Sequence, residues 1–322
     1  MKSGICVAGT VLVDNINQIA TYPKAGELTN IISTGSAVGG CVPNVAADLK
    51  KIEPKIPIYA MGKTGKDAHG TFVKDFLSGR GVNTDLITEC DIPTSFTDVM
   101  SVMGGERTFF TYAGANDEFG VDDFNFDTFP ASHLHLGYFM LLKKVDGGEG
   151  EAIFKEAKKH GIVTSLDMVS SNVGKYADVI PVLKYTDNVI INELEAGNLA
   201  EIEPKLENLR AIAQKIKDYG VSGRVIIHAP KISVCLSNDG FTYLPSYDIP
   251  SDYIVGTTGA GDAFCSGALV GIYDGMSDVD ILTLATRCAT VSLRTSDAVS
   301  GLVGRDEMVE LCSSFNRRNI SL

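Results

Sequence analysis

A chain of 322 residues with 44% hydrophobic side chains can bury a large core, and no stretch is long and apolar enough to cross a bilayer. Its 28 basic against 40 acidic residues give a net charge of −12 at pH 7 without charge blocks, which excludes nucleic acid and anionic membrane as main partners. An acidic chain that handles phosphates must bring a divalent cation or backbone dipoles to them.

Residues 4–9 are too short and glycine-rich for a signal peptide and read as a first strand. Residues 12–38 carry few helix formers and many β-branched or turn residues, Thr29, Ile31, Ile32, Ser33 and Thr34 among them. From about residue 40 strand-like runs alternate with helical patterns, which indicates an α/β fold with a parallel sheet flanked by helices. Residues 56–61 read as a strand and 67–80 as a helix with Phe72, Val73, Phe76 and Leu77 on one face and Gly81 as its stop. Residues 94–112 break the rhythm as a hairpin, 97–103 and 107–112 around Gly104-Gly105. Strands follow at 133–136, 162–166, 189–191 and 225–227, with helices at 149–160, 175–184 and 206–219 between them. Three helical patterns, near 261–274, 278–294 and 305–315, close the chain. The expectation is a single α/β domain over 1–322, with 12–38 and 94–112 inserted as a small β-appendage, either a lid over a pocket or a surface decoration or dimer contact.

Seven scattered cysteines (Cys6, Cys41, Cys90, Cys235, Cys265, Cys288, Cys312) form no C-x-x-C pair and read as buried thiols in a reducing, cytoplasmic compartment. Cys41 sits inside a glycine motif, but without an evident histidine partner it reads as a core or lining thiol. His133 and His135 alternate on one strand and face the same way; with no third ligand they read as core or surface residues.

The run from Thr257 to Phe264 carries more chemistry. Gly259, Ala260 and Gly261 leave backbone N–H groups bare where a loop becomes a helix, and Asp262 follows directly. Such a turn binds an anion through amide dipoles, and the neighbouring carboxylate can take a proton from an attacking hydroxyl. The plainer reading of the tetrad is a glycine turn with an acid in the first helical turn. Gly39 and Gly40, followed by Asn44 and a helix, form a second glycine site where a ligand can approach the backbone and an amide can bind a hydroxyl. Asn192 and Glu195 follow a strand and either face Mg²⁺-bound phosphates or simply start an acidic helix. Asp14, after the first strand, either binds sugar hydroxyls or turns the chain.

In this order the four sites resemble the ribokinase-like (PfkB) carbohydrate kinases, with an early Asp, G-G-x-x-x-N-x-A, N-x-x-E and a late D-T-x-G-A-G-D. Met61 to Asp67 and Gly114-Ala115-Asn116 extend the likeness over nearly the whole chain. The resemblance implies a three-layer α/β/α domain whose β-sheet lid closes over a sugar. Asp262 would be the base, and the N–H groups of Gly259, Ala260 and Gly261 would hold the migrating phosphoryl group. Asp14, Gly39, Gly40 and Asn44 would bind sugar hydroxyls. Asn192 and Glu195 would organise Mg²⁺ and the phosphates of ATP, with Thr258 and His228 toward the nucleotide. The partners expected are thus a sugar and a nucleotide, while the apolar lid residues Ile31, Ile32, Phe109 and Phe110 either pair with a second copy of the chain or cover the sugar.

The sequence also departs from that pattern. Gly256 stands where the family has an Asp that helps bind an activating monovalent cation, which puts potassium activation in doubt. The nucleotide segment T-x-G-x-x-G reads His228 to Ser233, and Pro230 lacks an N–H, so either His228 or Lys231 replaces a glycine contact with a changed donor preference, or the stretch simply routes around the adenine. The ribose-contacting Q-x-E and the fructokinase D-x-N-x-R are both absent, so neither sugar is assigned. Arg107 on the lid either reaches an acidic or phosphorylated substrate or stays solvated. A sugar kinase is the leading expectation. The alternatives are a nucleoside or sugar-acid kinase of the same fold, or a non-catalytic sugar-binding protein on a kinase scaffold. Gly62-Lys63-Thr64 is no P-loop, because Pro57 stands where its first glycine would be.

Overall fold

The computed structural model describes residues 2–102, 107–170 and 175–322. Two sheets organise them. The larger holds β1 (Ile5–Gly9), β4 (Ile58–Gly65), β5 (Asn83–Cys90), β8 (His133–Phe139), β9 (Val163–Met168), β10 (Asn188–Asn192), β11 (Arg224–His228), β12 (Ile232–Ser237) and β13 (Gly240–Pro245). Their order is β13-β12-β11-β10-β9-β8-β1-β4-β5, and every pairing is parallel except those of β12 and β13. The smaller sheet is β3-β2-β6-β7, built from β2 (Leu12–Ile19), β3 (Ile31–Gly39), β6 (Ser95–Val102) and β7 (Arg107–Tyr112). This is the expected α/β fold with its lid. The Gly104-Gly105 turn lies outside the described residues.

Alternation along the strands divides the core. Ile5, Val7, Ile58, Ala60, Ile190 and Ile226 pack toward α1 (Cys41–Ile52), α2 (Ala68–Ser78), α7 (Ala260–Tyr273), α8 (Asp278–Ser292) and α9 (Arg305–Cys312). Cys6, Ala8, Leu134, Leu136, Val189 and Ile191 pack on the other face against α3 (Gly150–Lys159), α4 (Ile180–Leu183), α5 (Glu193–Ala200) and α6 (Leu209–Asp218). The chain winds from β1 to β4 and β5 in one direction and from β8 onward in the other. That reversal places a crevice beside the carboxyl ends of β1 and β8, where open α/β sheets bind ligands.

Several expectations change. In α2, Val73 and Leu77 are buried, but Phe72 lies about 100° round the helix and is exposed. The single helix expected over 175–184 is a 3₁₀ turn, Tyr176–Val179, followed by one α-turn, because Pro181 starts a helix and cannot continue one. Edge strand β5 and the hairpin β12–β13 had no sequence expectation. β5 exposes polar Asn83, Asp85 and Glu89, as an edge strand does, and buries only Ile87.

Candidate active site

The crevice is lined by the last residues of consecutive parallel strands: Tyr138 on β8, Asp167 on β9, Asn192 on β10 and His228 on β11. The start of α7 faces them. Gly259 caps that helix at φ 79°, and a Cβ there would stand 2.5 Å from Ala298 Cα, so only glycine permits the turn. The N–H groups of Gly261 and Asp262 carry no hydrogen bond among the described residues, whereas Ala260 N–H donates to Thr257 O at 3.2 Å. The helix mouth therefore presents free amide dipoles, with Ala260 the weakest contributor of the expected trio.

Asp262 follows, 5% exposed. Asn44 Nδ2 donates to its Oδ2 at 2.9 Å, and the Tyr138 hydroxyl lies 3.0 Å from both carboxylate oxygens. Burial and the charge of Asp167 raise the Asp262 pKa to about 7, while the two hydrogen bonds oppose the rise. A carboxylate balanced near neutrality suits a general base.

Asn44 lies on α1, the helix that Gly40 caps at φ 91°. Thr10 satisfies the first amides of α1: its Oγ1 accepts from Cys41 N at 3.0 Å and its carbonyl from Val42 N at 3.1 Å. This glycine pair therefore makes room and does not supply an anion site. Asp14, on β2, lies directly against Gly39, where a Cβ would stand 2.6 Å from Asp14 Oδ2. Burial raises Asp14 to about 6. Asp14, Gly39, Gly40, Asn44 and Asp262 thus form one chain of contacts running from the lid into the crevice.

Asn192 and Glu195 form a reciprocal cap on α5. Asn192 Oδ1 accepts from Leu194 N and Glu195 N, both at 2.9 Å, and Glu195 Oε2 accepts from Asn192 N at 3.1 Å. Glu195 Oε1 also accepts from Asn192 Nδ2 at 2.7 Å and from Ser170 Oγ at 3.0 Å. Burial is the main cause that raises Glu195 to about 7. The pair therefore builds the helix start and still lines the crevice.

Two cavities meet here. One of about 260 Å³ touches Tyr138, Asp167, Asn192, Glu195, Gly259 and Asp262. The other, about 450 Å³ and walled mainly by apolar groups such as Ile249, Phe264 and Leu293, continues between β11 and α8. Asn192, His228 and Gly261 belong to both, so the helix mouth stands at the junction. His228 packs on Phe264 at 4.7 Å, and burial lowers its pKa to about 4, so it offers a neutral ring and no charge. Pro230 and Lys231 turn the hairpin between β11 and β12, closed by Ala229 N to Ile232 O at 2.9 Å; this is a corner where proline needs no N–H. Thr257 lines the larger cavity; Thr258 is exposed and lines neither.

Arg107 is not brought to the crevice. It pairs with Ser101 at the far end of the lid, four residues along β7 from Thr111, the neighbour of the Asp14 row. That is about 13 Å at strand spacing. At Gly256 a Cβ would meet Thr295 O at 2.8 Å, so an aspartate does not fit without movement. The reading of Cys41 as lacking a histidine partner is corrected: its thiol lies within 4.8 Å of ligand atoms of His135 and Asp167, a neighbourhood made by the fold and absent from the local sequence. Tyr138 and Asp167 had no expected role. Only their position after a strand, shared with Asn192, hinted at one.

Comparison with known proteins places this geometry. The family model described as pfkB family carbohydrate kinase matches residues 2–303. A ribokinase of Arabidopsis thaliana is 26% identical over 313 residues, covering 95% of this chain and 80% of that protein. An adenosine kinase of Saccharomyces cerevisiae is 28% identical over 277 residues, 82% of this chain and 80% of that one. The solved structure of Arabidopsis thaliana ribokinase complexed with ribose and ATP superposes with a TM-score of 0.82 at 25% identity, covering 97% of this chain and 99% of that one. The chain belongs to the pfkB family of carbohydrate kinases.

Proposed function

We propose that the chain transfers the γ-phosphoryl group of ATP to a terminal hydroxyl of a small carbohydrate. The observation that carries this reading is the placement of Asp262: a carboxylate balanced near pH 7, bonded to Asn44 and Tyr138, next to unpaired amides where two cavities join. The larger cavity suits a nucleotide, with its apolar wall for the base. The smaller suits the transferring phosphate. Asp14, Gly39, Gly40 and Asn44 hold the acceptor, and its terminal hydroxyl gives its proton to Asp262. The Gly259–Gly261 turn receives the charge that develops on the phosphoryl oxygens.

Mg²⁺ fits the donor set at Glu195 and Asn192, since a buried carboxylate raised to about 7 gains from a cation and offers hard oxygen. Both Glu195 oxygens already accept hydrogen bonds, so it would hold the ion through water. When bound, Mg²⁺ neutralises phosphate charge. Closure of the lid excludes water that would otherwise accept the phosphoryl group. Arg107 would act only if the lid tip moved inward, and pairing of two lids is part of the proposal.

A nucleoside or a sugar acid as acceptor is the second reading. It is supported by the adenosine kinase and by a 5-dehydro-2-deoxygluconokinase of Clostridium beijerinckii, 23% identical over 267 residues. Release of ADP from ATP and Mg²⁺ across a panel of pentoses, hexoses, sugar acids and nucleosides separates these readings. A strong preference for one sugar is expected. No turnover with any acceptor, together with retained sugar binding, would point instead to a non-catalytic binding protein.

A further inference from the structure

Beneath the smaller cavity, four donor side chains from four elements converge. Cys41 opens α1, His135 lies on β8, Asp167 on β9, and Cys265 one turn beyond Asp262 on α7. All four are buried. None is needed to bind ATP or sugar in the mechanism above.

Their spacing is informative. Ligand atoms of Cys41, His135 and Asp167 lie within 4.8 Å of one another. His135 Nε2 is 3.4 Å from Asp167 Oδ2 and 3.5 Å from Cys265 Sγ. Around a tetrahedral ion with bonds of about 2.0 Å to nitrogen and oxygen and about 2.3 Å to sulfur, the corresponding edges are about 3.3 and about 3.5 Å. The other ring nitrogen, Nδ1, lies 3.0 Å from Ser165 Oγ, and that hydroxyl has Leu134 O at 3.4 Å as its own acceptor. In the tautomer where Ser165 Oγ–H points to Leu134 O, Nδ1–H donates to Ser165 and Nε2 turns a lone pair toward the cluster, the outer support that a metal-ligating histidine requires. Asp167 and Cys265 also line the 260 Å³ cavity, which gives an ion a way in.

We propose that Cys41, His135, Asp167 and Cys265 form a site for a thiophilic, four-coordinate divalent ion of the Zn²⁺ class. Two sulfurs, an imidazole and one carboxylate suit such an ion and disfavour Mg²⁺, which demands six oxygen ligands. On binding, the two thiol protons leave to solvent, four ligand bonds form and nothing is oxidised. The ion ties together α1, β8, β9 and α7, the elements that carry Asn44, Tyr138 and Asp262.

The test uses the full chain in excess Mg²⁺, without sugar or nucleotide, so no readout depends on kinase activity. Zn²⁺ is titrated against a chromophoric chelator, and Co²⁺ is added separately. One Zn²⁺ per chain, a raised melting temperature and a thiolate-to-cobalt charge-transfer band are expected. Cys265→Ala and Cys41→Ser should each weaken Zn²⁺ binding by more than about 100-fold. Unchanged binding in both variants overturns the proposal, as does a wild-type chain that binds no Zn²⁺. If a variant fails to fold, the wild-type cobalt spectrum decides: absence of the thiolate band overturns the site.

Discussion

In its proposed role Asp262 would trade stability for reactivity, and the two effects separate by pH. Its folded pKa of about 7 lies above the roughly 3.9 of an aspartate in an unfolded chain. Between those values the native state binds more protons, so the contribution of this residue to stability falls as pH rises through the window and stays lost above it. Asp262→Asn should therefore raise the melting temperature at pH 8, on the order of 1–3 kcal/mol in stability, with the difference closing toward pH 4. Equal differences at both pH values would contradict this. In the proposed role as base Asp262 must be charged, so on that proposal kcat/KM should decline below about pH 7. The Tyr138 hydroxyl stabilises the charged form. Tyr138→Phe should move the acid limb of the pH–rate profile to higher pH; an unmoved limb would deny that the contact matters. Asp262 was legible from its glycine neighbours. Tyr138 was not, because only the crossing of β8 beneath α7 gives it a partner.

At the scale of elements, the mouth of α7 is supported from behind. Gly259 rests on Ala298, and the Lys51 ammonium of α1 donates to Val299 O at 2.7 Å and Ser300 O at 3.3 Å of the same loop. Asp297 Oδ1 accepts from Val299 N at 3.0 Å and Ser300 N at 2.6 Å, which closes the loop on itself. Lys51→Met should loosen this support and lower kcat roughly tenfold or more while changing the acceptor KM little, since small misplacements at a reacting centre are costly. With Thr295 O occupying the space beside Gly256, turnover in K⁺ and in Na⁺ should agree within about twofold; strong activation by K⁺ alone would refute that. Parallel-sheet units were readable from alternation because buried strands are continuous apolar runs. The exceptions were elements whose pattern is set by neighbours: β5 by its polar edge, α4 by Pro181, and β12, which is buried but follows β11 too closely for a helix to separate them. Asn192 and Glu195 were legible as a pair, yet the sequence did not distinguish a helix cap from a phosphate site. The structure shows the cap.

At the scale of the whole molecule, the lid sheet is where apolar side chains stand exposed next to one another. Ile31, Ile32, Phe109 and Phe110 are each more than half exposed. Phe109 and Phe110 are consecutive residues in regular register on β7, so they expose apolar surface on both sides of the sheet. One side can cover an acceptor while the other meets a second lid. Sedimentation equilibrium should show a dimer that Ile32→Asp or Phe109→Asp weakens at least tenfold. A monomer at all concentrations would remove the lid pairing. The order of the motifs anticipated the lid, because its strands are the two β-rich interruptions of an α/β rhythm.

The most direct measurement is turnover of Asp262→Asn with the preferred acceptor, alongside calorimetric binding of ATP and Mg²⁺. Turnover should drop by roughly two to four orders of magnitude with nucleotide affinity nearly unchanged. Turnover within a few-fold of the wild-type protein would show that another group takes the hydroxyl proton.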